Sequence, residues 1–320
     1  MEYRRLGNSG LKISELSFGS WVTYSTQVDE TLATRLMAMA YEAGVNFFDN
    51  AEVYAAGKSE IIMGKSLKAL GWGRDTFAVS SKVFWGGERP TQRGLSRKHV
   101  FDACHAALKR LQVEYLDMYF CHRPDPETPV EEVVWSMNDL MRQGKIMYWG
   151  TSEWPADKIE EAFLIAENLG LVPPTMEQPE YNLFARERFE IEYAPLFKKR
   201  KLGSTIWSPL SSGLLTGKYA NGVPAGSRAT LPGYEWLKDR FQSPEGQEKI
   251  KKTQALGLIA KEIGISLPEL AIGWCLKNPN VSTVILGASS TEQLQNNLKS
   301  LGAKEKLDPG IISKIESVLR

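Results

Sequence analysis

The feature that most constrains this chain is its alternation. Short apolar runs and amphipathic stretches follow one another almost from end to end. The runs Leu16–Phe18, Val45–Phe48, Phe77–Val79, Leu116–Cys121, Ile146–Trp149, Thr175–Glu177, Thr205–Trp207 and Thr283–Leu286 are short, rich in β-branched and aromatic residues, and poorly alternating. These are marks of strands covered on both faces. Between them the spacing predicts helices over Thr31–Glu42, Ser96–Leu111, Val130–Arg142, Pro155–Asn168 and Arg188–Arg200. Ser96 stands where an N-cap belongs, and Gly44, Gly144, Gly170 and Gly203 stand just past helix ends.

Strands that alternate with helices imply a parallel α/β fold. A doubly wound dinucleotide fold needs a glycine-rich turn after its first strand. Here the first strand runs into FGSWVTYSTQ, which has no GxGxxG. The eight runs instead predict a (β/α)8 TIM barrel. Ahead of it, EYRRLGNSGLKIS has a turn at Gly7–Gly10 between two extended pieces, which predicts an N-terminal β-hairpin at the barrel's foot. A chain of 320 residues admits about two domains by length alone, but the unbroken pattern assigns residues 1–320 to a single barrel domain. Ser212–Pro244 carries seven glycines and prolines between Gly213 and Gly233 and is predicted to be a long functional loop.

Composition excludes more than it assigns. A net charge of +1 gives no electrostatic case for a nucleic-acid or membrane partner. The three cysteines, Cys104, Cys121 and Cys275, form no CxxC pair and suggest a reducing compartment. His99 and His105 match no zinc-site spacing, so no metal is expected. No signal peptide or membrane-spanning run is seen, so a cytoplasmic location is expected, without membrane insertion.

In barrels the chemistry sits where strands end and βα loops begin. Those ends are polar here: Asp49, Lys82, His122, Ser152, Gln178 and Ser208 close strands two to seven in turn, and Tyr54 follows Asp49 in the loop AEVYAAGKSE. An aspartate beside a lysine forms an ion pair. A lysine held near a tyrosine is expected to lower the phenol pKa and make it a better proton donor. A neutral histidine can hold a carbonyl oxygen. That set suits hydride addition to a carbonyl and lacks the nucleophile, base and orienter that acyl transfer needs. Strand eight runs into GASSTEQLQNN, where Gly287 leaves room for close approach, Ser290 and Gln293 fit a capping box, and Ser289 with the helix amides offers a phosphate site. Lys218 and Arg228 are basic groups suited to a pyrophosphate or a 2′-phosphate. The same groups also admit a phosphorylated sugar with no nicotinamide.

The segments NFFDNAEVYAAGKSE, SSKVFWGG, YFCHRPDP, YWGTSEW, EQPEYN, TIWSPLSSGLLTGKY and ILGASSTEQLQNN, in this order, resemble the aldo-keto reductase superfamily. Within it they resemble the branch containing the β subunits of voltage-gated potassium channels and their plant and bacterial relatives. The resemblance implies a barrel that binds NADPH without a Rossmann fold. It also implies a catalytic tetrad: Tyr54 as general acid, Lys82 and Asp49 tuning it, and His122 orienting the carbonyl. Trp207 would stack on the nicotinamide, with Ser152 and Gln178 at its carboxamide. Ser208, Leu210 and Lys218 would line the pyrophosphate path, Arg228 and Ser289 would meet the 2′-phosphate, and Gln293 and Asn297 would face the adenine. Ser20, Trp21 and Gln27 would lie at the mouth of the first strand. Trp85 would wall the substrate pocket opposite Trp21.

The pattern also departs from that branch. Vertebrate channel subunits have asparagine where His122 stands, so the histidine favours turnover. The channel-subunit pattern has arginine at Glu153, tyrosine at Gly226 and glutamate at Asn296. No N-terminal extension able to plug a pore is expected. Two functions follow from the resemblance. One is an NADPH-dependent reductase of aldehydes, extending to ketones or quinones, with a small carbonyl substrate. The alternative is an NADPH-binding regulatory β subunit of a potassium channel. A homotetramer and an ion-channel partner belong to the same resemblance.

Overall fold

The computed structural model describes residues 1–21, 28–230 and 233–320, with Arg228 by its backbone alone. Two strands, β1 (Tyr3–Arg5) and β2 (Lys12–Ser14), pair antiparallel as the hairpin. Eight further strands close a parallel barrel: β3 (Leu16–Gly19), β4 (Phe47–Asp49), β5 (Ala78–Val83), β6 (Leu116–Cys121), β7 (Ile146–Thr151), β8 (Met176–Glu177), β9 (Gly203–Ile206) and β10 (Thr283–Leu286), with β10 returning to β3. The predicted α/β TIM barrel with its hairpin is the observed fold. Alternating with the early strands are helices α1 (Glu30–Glu42), α2 (Lys58–Leu70), α3 (Arg97–Leu111), α4 (Val130–Arg142) and α5 (Ala156–Leu169). After α6 (Ala194–Arg200) come α7 (Glu235–Gln242), α8 (Pro244–Glu262), α9 (Leu267–Lys277), α10 (Thr291–Leu298), α11 (Ser300–Lys306) and α12 (Pro309–Leu319). None of the described helices is long and apolar enough to cross a membrane.

Chain contacts divide the protein into two compact units. The first, residues 1–179, 188–207 and 280–294, holds the hairpin and the whole barrel. The second, residues 180–187, 208–279 and 295–320, has its own apolar core of Leu214, Tyr219, Ala229, Leu237, Phe241 and Ile250.

Strand parity decides what meets inside the barrel, because successive side chains point to opposite faces. On β5, Ala78, Ser80 and Lys82 share the inner face, while the Ser81 hydroxyl turns outward to Glu60 of α2 at 2.6 Å. Phe47 and Asp49 on β4, and Met118, Phe120 and the following His122 on β6, keep the same parity. The residues that enter first are apolar. Phe47, Ala78, Met118, Phe120 and Met176 form one cluster with Leu6 and Ile13 of the hairpin segment. The hairpin therefore plugs the foot of the barrel. Two glycines permit the approach: a Cβ on Gly7, which has φ +58°, would lie 2.4 Å from the Gly203 nitrogen. The last inward residues are polar, and they carry the candidate site.

Three local expectations are corrected. β5 and β7 run on to Val83 and Thr151, past the predicted ends at Val79 and Trp149, because polar residues there find partners inside the fold. The predicted helix Arg188–Arg200 is a π-turn over Arg188–Glu192 followed by α6. Pro195 has no N–H to continue an α-ladder, and Tyr193 N–H instead reaches back five residues to Arg188 O at 2.9 Å. The predicted loop Ser212–Pro244 contains α7, whose Leu237 and Phe241, four apart, are both buried.

Candidate active site

Asp49, Tyr54, Lys82 and His122 converge at the C-terminal mouth of the barrel. The parallel register sets Phe47 beside Ala78 and Lys82 beside Phe120, which places the ends of β4, β5 and β6 side by side. Lys82 is fully buried, and its ammonium has three protons to place. Nζ donates to Asp49 Oδ2 at 2.6 Å, Asn50 O at 2.8 Å and Tyr54 OH at 3.2 Å. Because the phenol oxygen accepts from lysine, its own proton is free to point elsewhere. The other oxygen of Asp49 accepts from Ser80 Oγ at 2.8 Å and Gln178 Nε2 at 3.2 Å.

The His122 ring meets the Tyr54 ring edge-on at 5.9 Å and the Trp85 ring at 5.1 Å between centroids. Its Nδ1 is buried with no hydrogen-bond partner among the described residues. Burial, followed by the charges of Lys82 and Arg123, holds His122 well below its usual pKa, so the ring is neutral, as its expected role requires. Burial likewise pulls Lys82 below the usual lysine value, with Asp49 opposing.

Tyr54 departs from the expectation. Burial raises its phenol well above the ordinary value, the Asp49 charge raises it further, and Arg123 opposes both. The phenol therefore stays protonated until negative charge develops beside it, and any phenolate formed lies in contact with a Lys82 N–H.

Tyr54 is also held by an unusual turn. Ala55 and Ala56 have φ of 50° and 52°, and Gly57 has 85°. Left-handed alanines cost about 1–2 kcal/mol each and persist only where surroundings impose them. Glu153, at φ 58°, is another such residue beside the site.

Among the predicted cofactor residues of the first unit, Ser20 and Gln178 touch this centre directly. Ser20 is buried and donates from Oγ to Asp49 O at 3.1 Å. Ser152 Oγ donates to Gln178 O at 2.9 Å. Trp21 and Trp207 meet edge-on at 5.9 Å. Trp207 is anchored by its indole N–H to Glu153 Oε1 at 3.0 Å, and Arg188 holds the other Glu153 oxygen at 2.7 Å. A Cβ on Gly287 would meet nothing within 4 Å among the described residues. The expected capping box is half formed. Gln293 N–H donates to Ser290 Oγ at 3.2 Å, but Gln293 Oε1 turns to Ser289, accepting from its N–H at 2.9 Å and its Oγ at 3.1 Å. Two donors of Ser289 thus aim at a single oxygen.

Ser208, Leu210, Lys218, Arg228 and Asn297 belong to the second unit. There Ser208 is left-handed at φ 56° and its Oγ accepts from Ser212 N–H at 3.0 Å. Leu210 leads into the turn Ser211–Thr216, the Lys218 ammonium lies 5.2 Å from the Tyr219 ring, and Asn297 is buried. Arg228 opens the short turn Arg228–Thr230, and Gln27 lies outside the described residues.

Sequence reasoning missed Ser80 and Glu177 as parts of the site, and it met Glu153 only as a departure from the channel-subunit pattern. Ser80 was findable, since it stands two residues before Lys82 and shares its face. Glu177 sits behind the site, fully buried, bonded by the Thr151 hydroxyl, and burial pushes its carboxyl up to about 8. Among the described residues no group of three His, Cys, Asp or Glu could hold a metal ion.

The sequence model of the Aldo/keto reductase family matches residues 15–320. The chain is also similar to a rice (Oryza sativa subsp. japonica) protein named "Probable voltage-gated potassium channel subunit beta". The two are 50% identical over 321 residues, which cover 100% of this chain and 97% of that one.

Proposed function

The chain belongs to the aldo/keto reductase family, and from that premise we propose that it is an NADPH-dependent reductase of aldehydes, extending to ketones or quinones. The observation that carries the reading is the Lys82 ammonium, held between Asp49 Oδ2 at 2.6 Å and Tyr54 OH at 3.2 Å beside a neutral His122. Bound NADPH would supply hydride to the carbonyl carbon. Tyr54 would give its proton to the carbonyl oxygen as charge develops there, and Lys82 would stabilise the phenolate left behind. His122 would hold that oxygen by a ring N–H. The residues fit a nicotinamide cofactor: Trp207 offers a partly exposed indole fixed by Glu153, and Ser289 offers two donors that converge on one oxygen, as a phosphate needs. Trp21 and Trp85 would wall the substrate.

The test is Tyr54→Phe. NADPH binding, followed by quenching of tryptophan fluorescence, is expected to persist while aldehyde reduction is lost. Reduction at the wild-type rate would overturn the assignment.

A second reading, an NADPH-binding regulatory subunit of a potassium channel, is favoured by the name of the rice relative. Affinity capture from source membranes, set against steady-state aldehyde turnover, separates the two. Rapid turnover with no captured channel would remove the regulatory role.

A further inference from the structure

Arg123 follows His122 at the end of β6 and is partly buried. Its Nη1 donates to His122 O at 2.5 Å and to Ser152 Oγ at 3.3 Å, and its guanidinium carbon lies 5.5 Å from the Trp85 ring centroid. No carboxylate among the described residues lies within ion-pair distance of it. The nearby acids are each engaged elsewhere. Asp125, two residues on, turns to the opposite loop and accepts from Leu95 N–H at 2.7 Å, Glu127 N–H at 3.0 Å and Thr128 Oγ1 at 2.7 Å. Glu153, beside Ser152, is taken by Arg188 and Trp207. Asp49 is taken by Lys82, Ser80 and Gln178. Asp49 and Lys82 form an ion pair, whereas Arg123 is a charge at this mouth with no ion-pair partner among the described residues. Its field reaches the reacting groups, since it opposes the raised pKa of Tyr54 and lowers that of His122.

A partly buried guanidinium without an anion is unfavourable, and its planar fork matches a carboxylate through two parallel N–H donors. Nε and Nη2 have no partner among the described residues. We propose that Arg123 is a specificity-determining residue that selects carbonyl substrates carrying a carboxylate, separated from the reacting carbonyl by a short apolar spacer lying on Trp85. This rests on the reductase reading. The carbonyl oxygen sits at Tyr54 and His122, the spacer on the indole, and the carboxylate on Arg123. The products are hydroxy acids.

The experiment compares 4-carboxybenzaldehyde with its methyl ester, in which a methyl group caps the carboxylate and removes its charge. Wild type is expected to favour the acid in kcat/KM by about tenfold or more, the effect of a charge-assisted hydrogen bond. Arg123→Gln should lower kcat/KM for the acid about tenfold more than for the ester, mainly through KM, and Arg123→Lys should recover part of the loss. An equal fall for both substrates overturns the proposal and makes Arg123 a general influence on Tyr54. A weakened NADPH Kd with an unchanged acid-to-ester ratio overturns it too, assigning Arg123 to the cofactor. If neither aldehyde is reduced, the reductase reading fails separately. Binding of 4-(hydroxymethyl)benzoate to the NADPH complex, read by tryptophan fluorescence, then decides: tenfold weaker in Arg123→Gln supports the anion site, and equal binding overturns it.

Discussion

The two ends of the barrel interior are built from the same strands and the same parity, yet they differ in kind. β5 shows the contrast in three steps, from Ala78 against the hairpin, through Ser80, to Lys82 at the mouth. At the foot, Leu6 and Ile13 lie fully buried in one apolar cluster with Phe47, Met118 and Met176. At the mouth, an ammonium, a carboxylate, an imidazole and a phenol crowd together, and left-handed residues hold Tyr54 and Glu153 in place. Burying each apolar side chain at the foot stabilises the fold by roughly 1.5–3 kcal/mol. Burying Lys82 costs stability unless Asp49 is beside it. The foot carries the stability that lets the mouth hold charges poised for a reaction.

Substitutions at each end can break that division. The largest effect is expected for Lys82→Met, which leaves the Asp49 carboxylate buried without its cation. Losing one partner of a buried pair costs about 3–5 kcal/mol, so the melting temperature should drop together with turnover. Tyr54→Phe removes a hydroxyl and leaves the ion pair intact. It should lower kcat by about 10²–10⁴-fold with little change in a thermal melt. A large loss of stability in Tyr54→Phe would show that the phenol is structural. Ile13→Ala at the foot should do the reverse, costing about 2–4 kcal/mol in denaturant unfolding while the folded fraction keeps its kcat. A fall in kcat for that variant would mean that the two ends are mechanically linked.

The sequence carried most of the fold and the centre of the site, for a physical reason. Strand ends in a parallel barrel all open to one mouth, so local reading of Asp49, Lys82 and His122 was enough to bring them together. What it missed depends on contacts between distant segments. Gln178 donates to Asp49 across 129 residues of sequence, and nothing local to either residue announces that bond. Glu153 looked like a departure from a pattern, but it anchors Trp207 because the chain folds Arg188 onto its other oxygen. The rise in the Tyr54 pKa was missed because its largest cause is burial, which neighbouring residues in the sequence do not show, with the Asp49 charge adding to it. The helix α7 was hidden by glycines and prolines around it, although Leu237 and Phe241 already held the i, i+4 spacing.

The smallest expected effect lies just outside the mouth, where pH should distinguish its rim from the foot. His99 and Glu52 are both buried, and His99 Nε2 stands 3.5 Å from Glu52 Oε1 while Nδ1 faces Gly94 O at 2.9 Å. Glu52 also accepts from Phe84 N–H at 2.7 Å, so the pair ties the loop bearing Tyr54 to the one bearing Trp85. Burial works against a charged His99, but the hydrogen bond and charge of Glu52, with Gly94 O and the more distant Asp102, leave its pKa raised. A group held protonated in the folded state binds more protons there than in the unfolded chain as pH rises past its unfolded value. Stability therefore falls with pH in that window. The contribution of His99 should be complete below about pH 6.5, its unfolded value, and should fade as pH rises through the raised folded one. Thermal melts of wild type and His99→Gln across that range should show a gap in Tm that narrows toward alkaline pH. Ile13→Ala, which removes no titrating group, should show a gap that stays constant. A His99→Gln gap that widens with pH would mean the ring is neutral in the folded protein and acts only as a hydrogen-bonded spacer between the two loops.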